Sequence, residues 1–225
     1  MSNISLIIGE SGTGKSTSIR NLNHDETFII NIIDKPLPFR GYKKKYTAMS
    51  TDWTTGNYYS TDDYTKIIKA VNFISNKRPD IKTIIVDDFQ FVMTNEFMRR
   101  CMERGFDKFS EIGNHAWSIM NALKTLREDI DCFILTHSAM DESGKMNIKT
   151  IGKLFAEKYG METTVSMLLQ TEVTDGNYHF ITQGDARHIA KSPMGMFEDR
   201  NIPNDLQFVK QKMHEYYNED IAIWT

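Results

Sequence analysis

Eight consecutive residues near the start of the chain, Gly9-Glu10-Ser11-Gly12-Thr13-Gly14-Lys15-Ser16, have the types and spacing to do one kind of chemistry, the gripping of a polyphosphate. They fit the pattern G-x-x-x-x-G-K-[ST]. Glycines let the backbone curl until its N–H groups point at phosphate oxygens. Lys15 then reaches the β- and γ-phosphates, and the Ser16 hydroxyl serves a Mg²⁺ ion. The candidate nucleotide-binding residues run from Gly9 to Thr17. Ile4–Ile8, just before them, reads as a short buried strand. Thr17–Leu22, just after, reads as a helix whose N-terminal dipole favours anions. A ligand-free glycine turn is the plain alternative, and the flanking strand and helix argue against it.

A second constellation lies in Thr83-Ile84-Ile85-Val86-Asp87-Asp88, a hydrophobic strand that ends in carboxylates. This is the Walker B pattern, and Asp87 is the candidate Mg²⁺ ligand, acting through water. Asp88 either polarises the attacking water or caps the next segment. The third is Leu135-Thr136-His137-Ser138, another apolar strand with a polar end. If it lies beside the Asp87 strand, His137 can sense the γ-phosphate by hydrogen bonding, with Thr136 or Ser138 assisting. The rival reading is an ordinary strand-end histidine with no special role.

These groups must be positioned by alternating strands and helices. Strand candidates are Ile4–Ile8, Thr27–Ile33, Lys82–Val86 and Cys132–Leu135. Tyr64, Ile67, Ile68, Val71 and Ile74 follow helical spacing behind a Ser60-Thr61-Asp62 capping cluster. Ile112, Ala116, Ile119, Met120, Leu123 and Leu126 form a second stripe. Thr150–Tyr159 reads as a helix ended by Gly160, Val165–Val173 and Tyr178–Thr182 as a hairpin around Asp175-Gly176, and Pro203-Asn204 as the start of a last helix and tail over 203–225. The expected fold is α/β: a mostly parallel central sheet flanked by helices, with an antiparallel hairpin near the C-terminus. Ligands bind such a sheet outside the carboxyl ends of its strands. The stretch from Asp34 to about residue 60 is poor in aliphatics and reads as a long excursion loop, so all 225 residues are expected to form one domain.

Composition narrows the function classes. The chain is 40% hydrophobic and 25% charged, ordinary for a soluble globular protein, and no apolar run approaches a membrane span. The first strand starts within a few residues of the N-terminus, so no signal peptide is expected. Cys101 and Cys132 form no close metal-ligand pair and are expected to be reduced thiols in a cytoplasmic setting. A net charge of −3 gives no global drive towards nucleic acid, which must bind, if anywhere, at local basic patches.

The P-loop, the Walker B strand, the polar strand end and the late hairpin are followed by Ala190-Lys191-Ser192-Pro193-Met194-Gly195. In this order they resemble the RecA-like P-loop ATPase core, most of all the compact core-only phage proteins of single-strand annealing and recombination. The resemblance spans about Ile4 to Phe197. It implies an ATPase that takes ATP and Mg²⁺ and assembles as a ring or filament. It also implies that Lys191 reaches a neighbouring subunit's γ-phosphate as a trans-acting cation, with Arg187 the second candidate. Two departures stand out. Pro36 occupies about the place of the family's catalytic glutamate, which raises Asp88 as the substitute base, with Asp34 as fallback. No separate oligomerisation helix precedes the first strand.

The family's two DNA-facing loops correspond to Phe89–Asn114 and Ser138–Lys149. The first carries Arg99, Arg100, Arg104 and Lys108 among Phe97, Phe106 and Phe109; the second carries Lys145 and Lys149. A third patch sets Arg40, Lys43, Lys44 and Lys45 between Phe39, Tyr42 and Tyr46. Cations neutralise phosphates and aromatics stack on unpaired bases, so single-stranded DNA is the expected partner, and a single-strand-binding protein a further one. Each patch can equally be a solvated face. Two other functions stay open: a small-molecule kinase, and an ATP-dependent DNA-binding scaffold with little hydrolysis.

Overall fold

Apolar residues alternate between two cores along the central strands. In β1 (Asn3–Gly9), Ile4, Leu6 and Ile8 point into one core and Ile7 into the other. The same alternation runs through β2 (Thr27–Asn31), β4 (Thr83–Asp87) and β5 (Asp131–Met140). Strands buried on both faces are what a parallel sheet covered by helices requires. The structure is a computed structural model that describes residues 3–142, 144–151 and 160–223, the side chains of 218–223 excepted.

The remaining strands are β3 (Tyr58–Ser60), β6 (Met146–Ile148), β7 (Met167–Thr174), β8 (Asn177–Ile181) and β9 (Asn201–Pro203). The sheet order is β3-β2-β4-β5-β1-β7-β8-β9, with β6 paired to β5. From β3 to β7 every pairing along this order is parallel; β8 and β9 extend the sheet antiparallel. The fold is α/β, with a mostly parallel sheet and an antiparallel β7–β9 extension. The β7–β8 turn is the expected Asp175-Gly176, both residues in the left-handed region that a two-residue hairpin demands.

Helices α2 (Tyr64–Lys77), α3 (Gln90–Arg99) and α4 (Asp107–Lys124) cover one face, and α5 (Leu206–Ile223) covers the other. His214 of α5 bonds Asp131 at 2.7 Å and Lys210 bonds Thr83 at 2.9 Å, tying α5 to the N-terminal ends of β5 and β4. Helix α1 (Tyr42–Lys45) is a single turn within the excursion after β2.

Several boundaries differ from the sequence pattern. The segment after the phosphate loop is a 3₁₀ helix, Ser16–Asn21, because Ser18 Oγ and the Arg20 guanidinium bond the carbonyls of Lys15 and Thr17 and compete with α-helical bonding. Asp63 caps α2, accepting from the backbone of Thr65 and Lys66; the Ser60-Thr61-Asp62 cluster does not. Residues 58–60 are an edge strand, not loop; three residues are too short to show a period. Phe89–Asn114 is helical over most of its length, as α3 and the first part of α4. Ser138–Lys149 is a β5–β6 hairpin. Pro203 ends β9, and α5 starts at Leu206. The helix expected over Thr150–Tyr159 falls almost wholly outside the described residues.

Candidate nucleotide site

The phosphate loop leaves β1 at the carboxyl end of the sheet, flanked by the tips of β5 and β7. Gly9 is there because β7 comes too close for any side chain: a Cβ would stand 1.8 Å from Thr171 Oγ1. Thr171 in turn pins the loop, sharing a hydrogen bond of 2.5 Å with Thr13 and donating to the Ile8 carbonyl at 3.2 Å. Gly14 has φ +95°, and a Cβ on it would meet the Tyr178 ring at 2.8 Å. The buried Lys15 ammonium donates to the carbonyls of Gly9 (2.8 Å) and Glu10 (2.6 Å). Burial lowers its pKa to about 8, against the opposing pull of Asp88 and Asp87.

Strand β4 runs beside β5, as the reading of the polar strand ends requires. Asp87, at its tip, is fully buried and accepts from Ser16 Oγ at 2.9 Å. Its other oxygen, Oδ2, is buried with no partner. Burial pushes this carboxyl up to about 6, with Asp88 adding to the rise. A hydroxyl and an orphaned carboxylate oxygen side by side are hard oxygen donors that fit Mg²⁺, with the remaining positions left to phosphate and water. Among the described residues there is no separate cluster of His, Cys, Asp and Glu able to hold a metal.

Asp88 turns its backbone to φ +63° and buries its side chain between His137 and Lys35. Oδ1 lies 3.1 Å from His137 Nε2, and Oδ2 forms an ion pair with Lys35. Burial works against the charged form, yet the bonds from His137 and Lys35 outweigh it and hold the carboxyl below the usual range. Gln90 accepts from the His137 backbone N–H at 2.9 Å, fixing that residue from the first turn of α3. Thr136 and Ser138 hydroxyls are buried and unpartnered beside it.

A cleft of about 380 Å³ is lined by Ser11, Gly12, Gly14, Lys15, Ser16, Thr17, Lys35, Pro36, Pro38, His137 and Tyr178. The structure thus brings together the phosphate loop, Asp87, Asp88 and His137. A family model described as an AAA domain matches residues 2–130. The chain belongs to the AAA domain family. This is a P-loop NTPase family, and the chain carries a nucleotide-binding P-loop domain. No curated protein matches the sequence significantly.

Other candidate residues of this AAA protein stand apart from the cleft. Lys191 pairs with Leu168 through two backbone bonds of 2.8 Å on the flank of β7, level with Leu6 and below the loop. Arg187 is exposed, and its carbonyl accepts from Met146. Neither lines its own chain's cleft. Asp34 is exposed and accepts from the Tyr58 hydroxyl at 3.2 Å. Arg99 pairs with Asp62, and Arg100 with Glu96, Glu103 and Glu111. Lys108 Nζ is held by the carbonyls of Arg100, Cys101 and Glu103. Arg104, Lys145, Lys149, Lys43, Lys44, Lys45 and Arg40 are exposed, with no acidic partner among the described residues.

Sequence reasoning missed Lys35 and Tyr178 in the cleft, and Thr171 and Gln90, which hold the phosphate loop and His137 in place. For Lys35 a signal existed: it is the one cation in Asp34-Lys35-Pro36, where the catalytic glutamate was sought. Among the described residues no helix is long and apolar enough to cross a membrane.

Proposed function

We propose that the protein is a Mg²⁺-dependent ATP hydrolase with a single RecA-like domain, whose turnover responds to single-stranded DNA, of the kind phages use in recombination or replication. The observation that carries the reading is the Ser16–Asp87 hydrogen bond. It joins the phosphate loop to the Walker B strand and brings together the two side chains that would hold a Mg²⁺ ion. Lys15 would leave its two carbonyls for phosphate oxygens, and the main-chain amides of Gly12–Ser16 would cradle the β-phosphate. The metal, when bound at Ser16 and Asp87, would neutralise developing phosphate charge. Asp88 would orient the attacking water and take its proton, and His137, bonded to Asp88, would report on the γ-phosphate to the β5–β6 hairpin through the Lys149 amide bonded to its carbonyl at 2.8 Å.

The position of Lys191 supports a second subunit: it lies on the sheet flank and does not line its own chain's cleft, as a cation serving another copy's triphosphate would. For DNA, the exposed Arg40 and Lys43–Lys45 run, backed by edge-on contacts of Phe39 with Tyr42 and Tyr46, is the best-supported surface. The test is phosphate release from Mg-ATP with and without oligo(dT), alongside calorimetry of ATP binding. Stimulation by oligo(dT) is expected. Absence of any ATP binding would overturn the nucleotide reading, and absence of DNA binding with ATP present would overturn the DNA reading alone.

One observation favours a second reading, an ATP-dependent DNA binder with little hydrolysis: both oxygens of Asp88 are engaged, by Lys35 and His137. Turnover at buffer background despite ATP binding would select it.

A further inference from the structure

We propose that Lys35 is a cis-acting cation for the terminal phosphate of a bound nucleoside triphosphate, and that it must leave Asp88 to act there. The inference rests on the nucleotide reading above and adds to it a residue that tells triphosphate from diphosphate.

The geometry comes from the end of β2. Asn31, buried in the sheet, donates from Nδ2 to the Lys35 carbonyl at 2.8 Å, and the Ile32 N–H bonds the Asp87 carbonyl at 3.2 Å. The chain therefore leaves β2 pinned against the tip of β4. Pro36 follows, with its φ fixed, so the backbone at Lys35 has little freedom to drift. From this anchor the side chain enters the cleft that also holds Lys15, Gly12 and His137. It lies 40% exposed and ends on Asp88, whose side chain is wholly buried.

The anionic partner of the Lys35 ammonium is thus a carboxylate bearing one charge. A γ-phosphate entering between the phosphate loop and His137 brings more charge and three acceptor oxygens to the same ammonium. Lysine suits such an exchange, because a compact charge on a flexible four-carbon stem can swing from one anion to the other without moving its backbone. Once it swings, Asp88 keeps His137 but loses its cation, and Oδ2 is released to accept from water. A diphosphate offers no oxygen at the terminal position and leaves the Lys35–Asp88 pair closed. The pairing that argues for weak hydrolysis thus becomes a latch that only the triphosphate opens.

The experiment compares Lys35→Met and Lys35→Arg with the parent chain by calorimetry, using Mg-ADP and a slowly hydrolysed Mg-ATP analogue. Lys35→Met is expected to weaken the triphosphate analogue ~10-fold or more and ADP less than ~3-fold, the size expected for losing one charge-assisted contact to phosphate. Lys35→Arg should recover most of the loss, since the charge remains. Independently, amine acetylation of Lys35 in the parent chain, read by mass spectrometry, should slow with the triphosphate analogue and not with ADP. Equal losses for both nucleotides, or unchanged affinity for both with unchanged acetylation, would overturn the proposal. A parent chain that binds neither nucleotide would instead overturn the nucleotide reading on which it stands.

Discussion

Two stretches of this protein mix cations and aromatics in the same proportions and differ in how far their charges are compensated. In α3, the turn after it and the start of α4, Arg99 meets Asp62, Arg100 is surrounded by Glu96, Glu103 and Glu111, and Lys108 caps backbone carbonyls while lying 5.6 and 5.7 Å from the ring centres of Phe97 and Phe109, so that Arg104 is the one cation of this stretch with no partner among the described residues. In the excursion after β2, Arg40, Lys43, Lys44 and Lys45 project with no acidic partner among the described residues, above a cluster of Phe39, Tyr42 and Tyr46. A cation whose field is already cancelled attracts no phosphate, however basic its local sequence. Composition alone did not separate the two stretches; the position of the carboxylates does.

The largest expected effect follows from that contrast. Reversing the free stretch, Lys43→Glu with Lys44→Glu and Lys45→Glu, should weaken oligo(dT) binding on the order of 100-fold. It should also flatten the dependence of log K on log salt by about 2, since each phosphate contact to a single strand contributes roughly 0.7 to the slope. Reversing Arg100 should leave DNA affinity within about twofold, because a compensated charge contributes no counterion release. That substitution should lower the melting temperature instead. Fluorescence anisotropy across a salt series reads the first outcome and thermal unfolding the second. If the Arg100 variant lost DNA binding while staying folded, the comparison would be wrong.

How far this was legible in the sequence depends on separation along the chain. Glu96 stands one helical turn before Arg100, so that ion pair could be read from helical spacing, whereas those with Glu103, in the turn after α3, and Glu111 could not. The phosphate loop, the Asp87 strand, the His137 strand end and the Asp175-Gly176 turn were legible because each is a local pattern with its own backbone demand. Lys35 on Asp88, at the tips of adjacent strands, and Thr171 on Thr13, 158 residues away, were not, because nothing local marks such contacts. The edge strand β3 and the 3₁₀ segment were missed for a different reason: one is too short for periodicity, and in the other the Ser18 and Arg20 side chains compete with the backbone for carbonyls.

A second pair of regions sharpens the contrast at a smaller scale. Lys15 and Lys108 both bury an ammonium against backbone carbonyls, yet one belongs to the phosphate loop and the other ties a helix to the turn before it. Burial lowers Lys15 from 10.5 to about 8, so its charged form costs stability at neutral pH. Lys15→Met should therefore abolish nucleotide binding and stabilise the ligand-free protein by about 2 kcal/mol, the ~3 kcal/mol of the shift less what two carbonyl hydrogen bonds contributed. Lys108→Met should destabilise by ~1–3 kcal/mol, since three carbonyls lose their donor. The sign with pH is fixed. Folded Lys15 releases its proton near 8 while the unfolded residue holds it to about 10.5, so the parent gains stability relative to Lys15→Met across that window. Urea unfolding of both variants at pH 7 and pH 9.5 should show opposite signs at pH 7 and a shrinking advantage for Lys15→Met at pH 9.5. Two destabilised variants would mean that Lys15 is as structural as Lys108.

The smallest effect is expected at Arg99, and it tests whether compensation or location matters more. Its guanidinium bonds Asp62 at 2.6 Å but is 55% exposed, so the pair sits in water. Exposed ion pairs contribute ~0.2–1 kcal/mol, and Arg99→Ala should fall at the low end of that range in urea unfolding. Asp62 keeps the amide of Asn95 at 2.8 Å, which limits the loss further. Removing the carboxylate is more telling than removing the cation. Asp62→Asn leaves the side chain's shape and an acceptor for Asn95 but releases Arg99 from its counter-charge. If cancellation is what silences the α3 stretch, Asp62→Asn should raise oligo(dT) affinity by about twofold and add roughly 0.7 to the salt slope, while Arg99→Ala changes neither. If Arg99 lies too far from the path of the strand, Asp62→Asn will leave both untouched, and the separation between the two stretches will rest on their placement around the sheet and not on their charge.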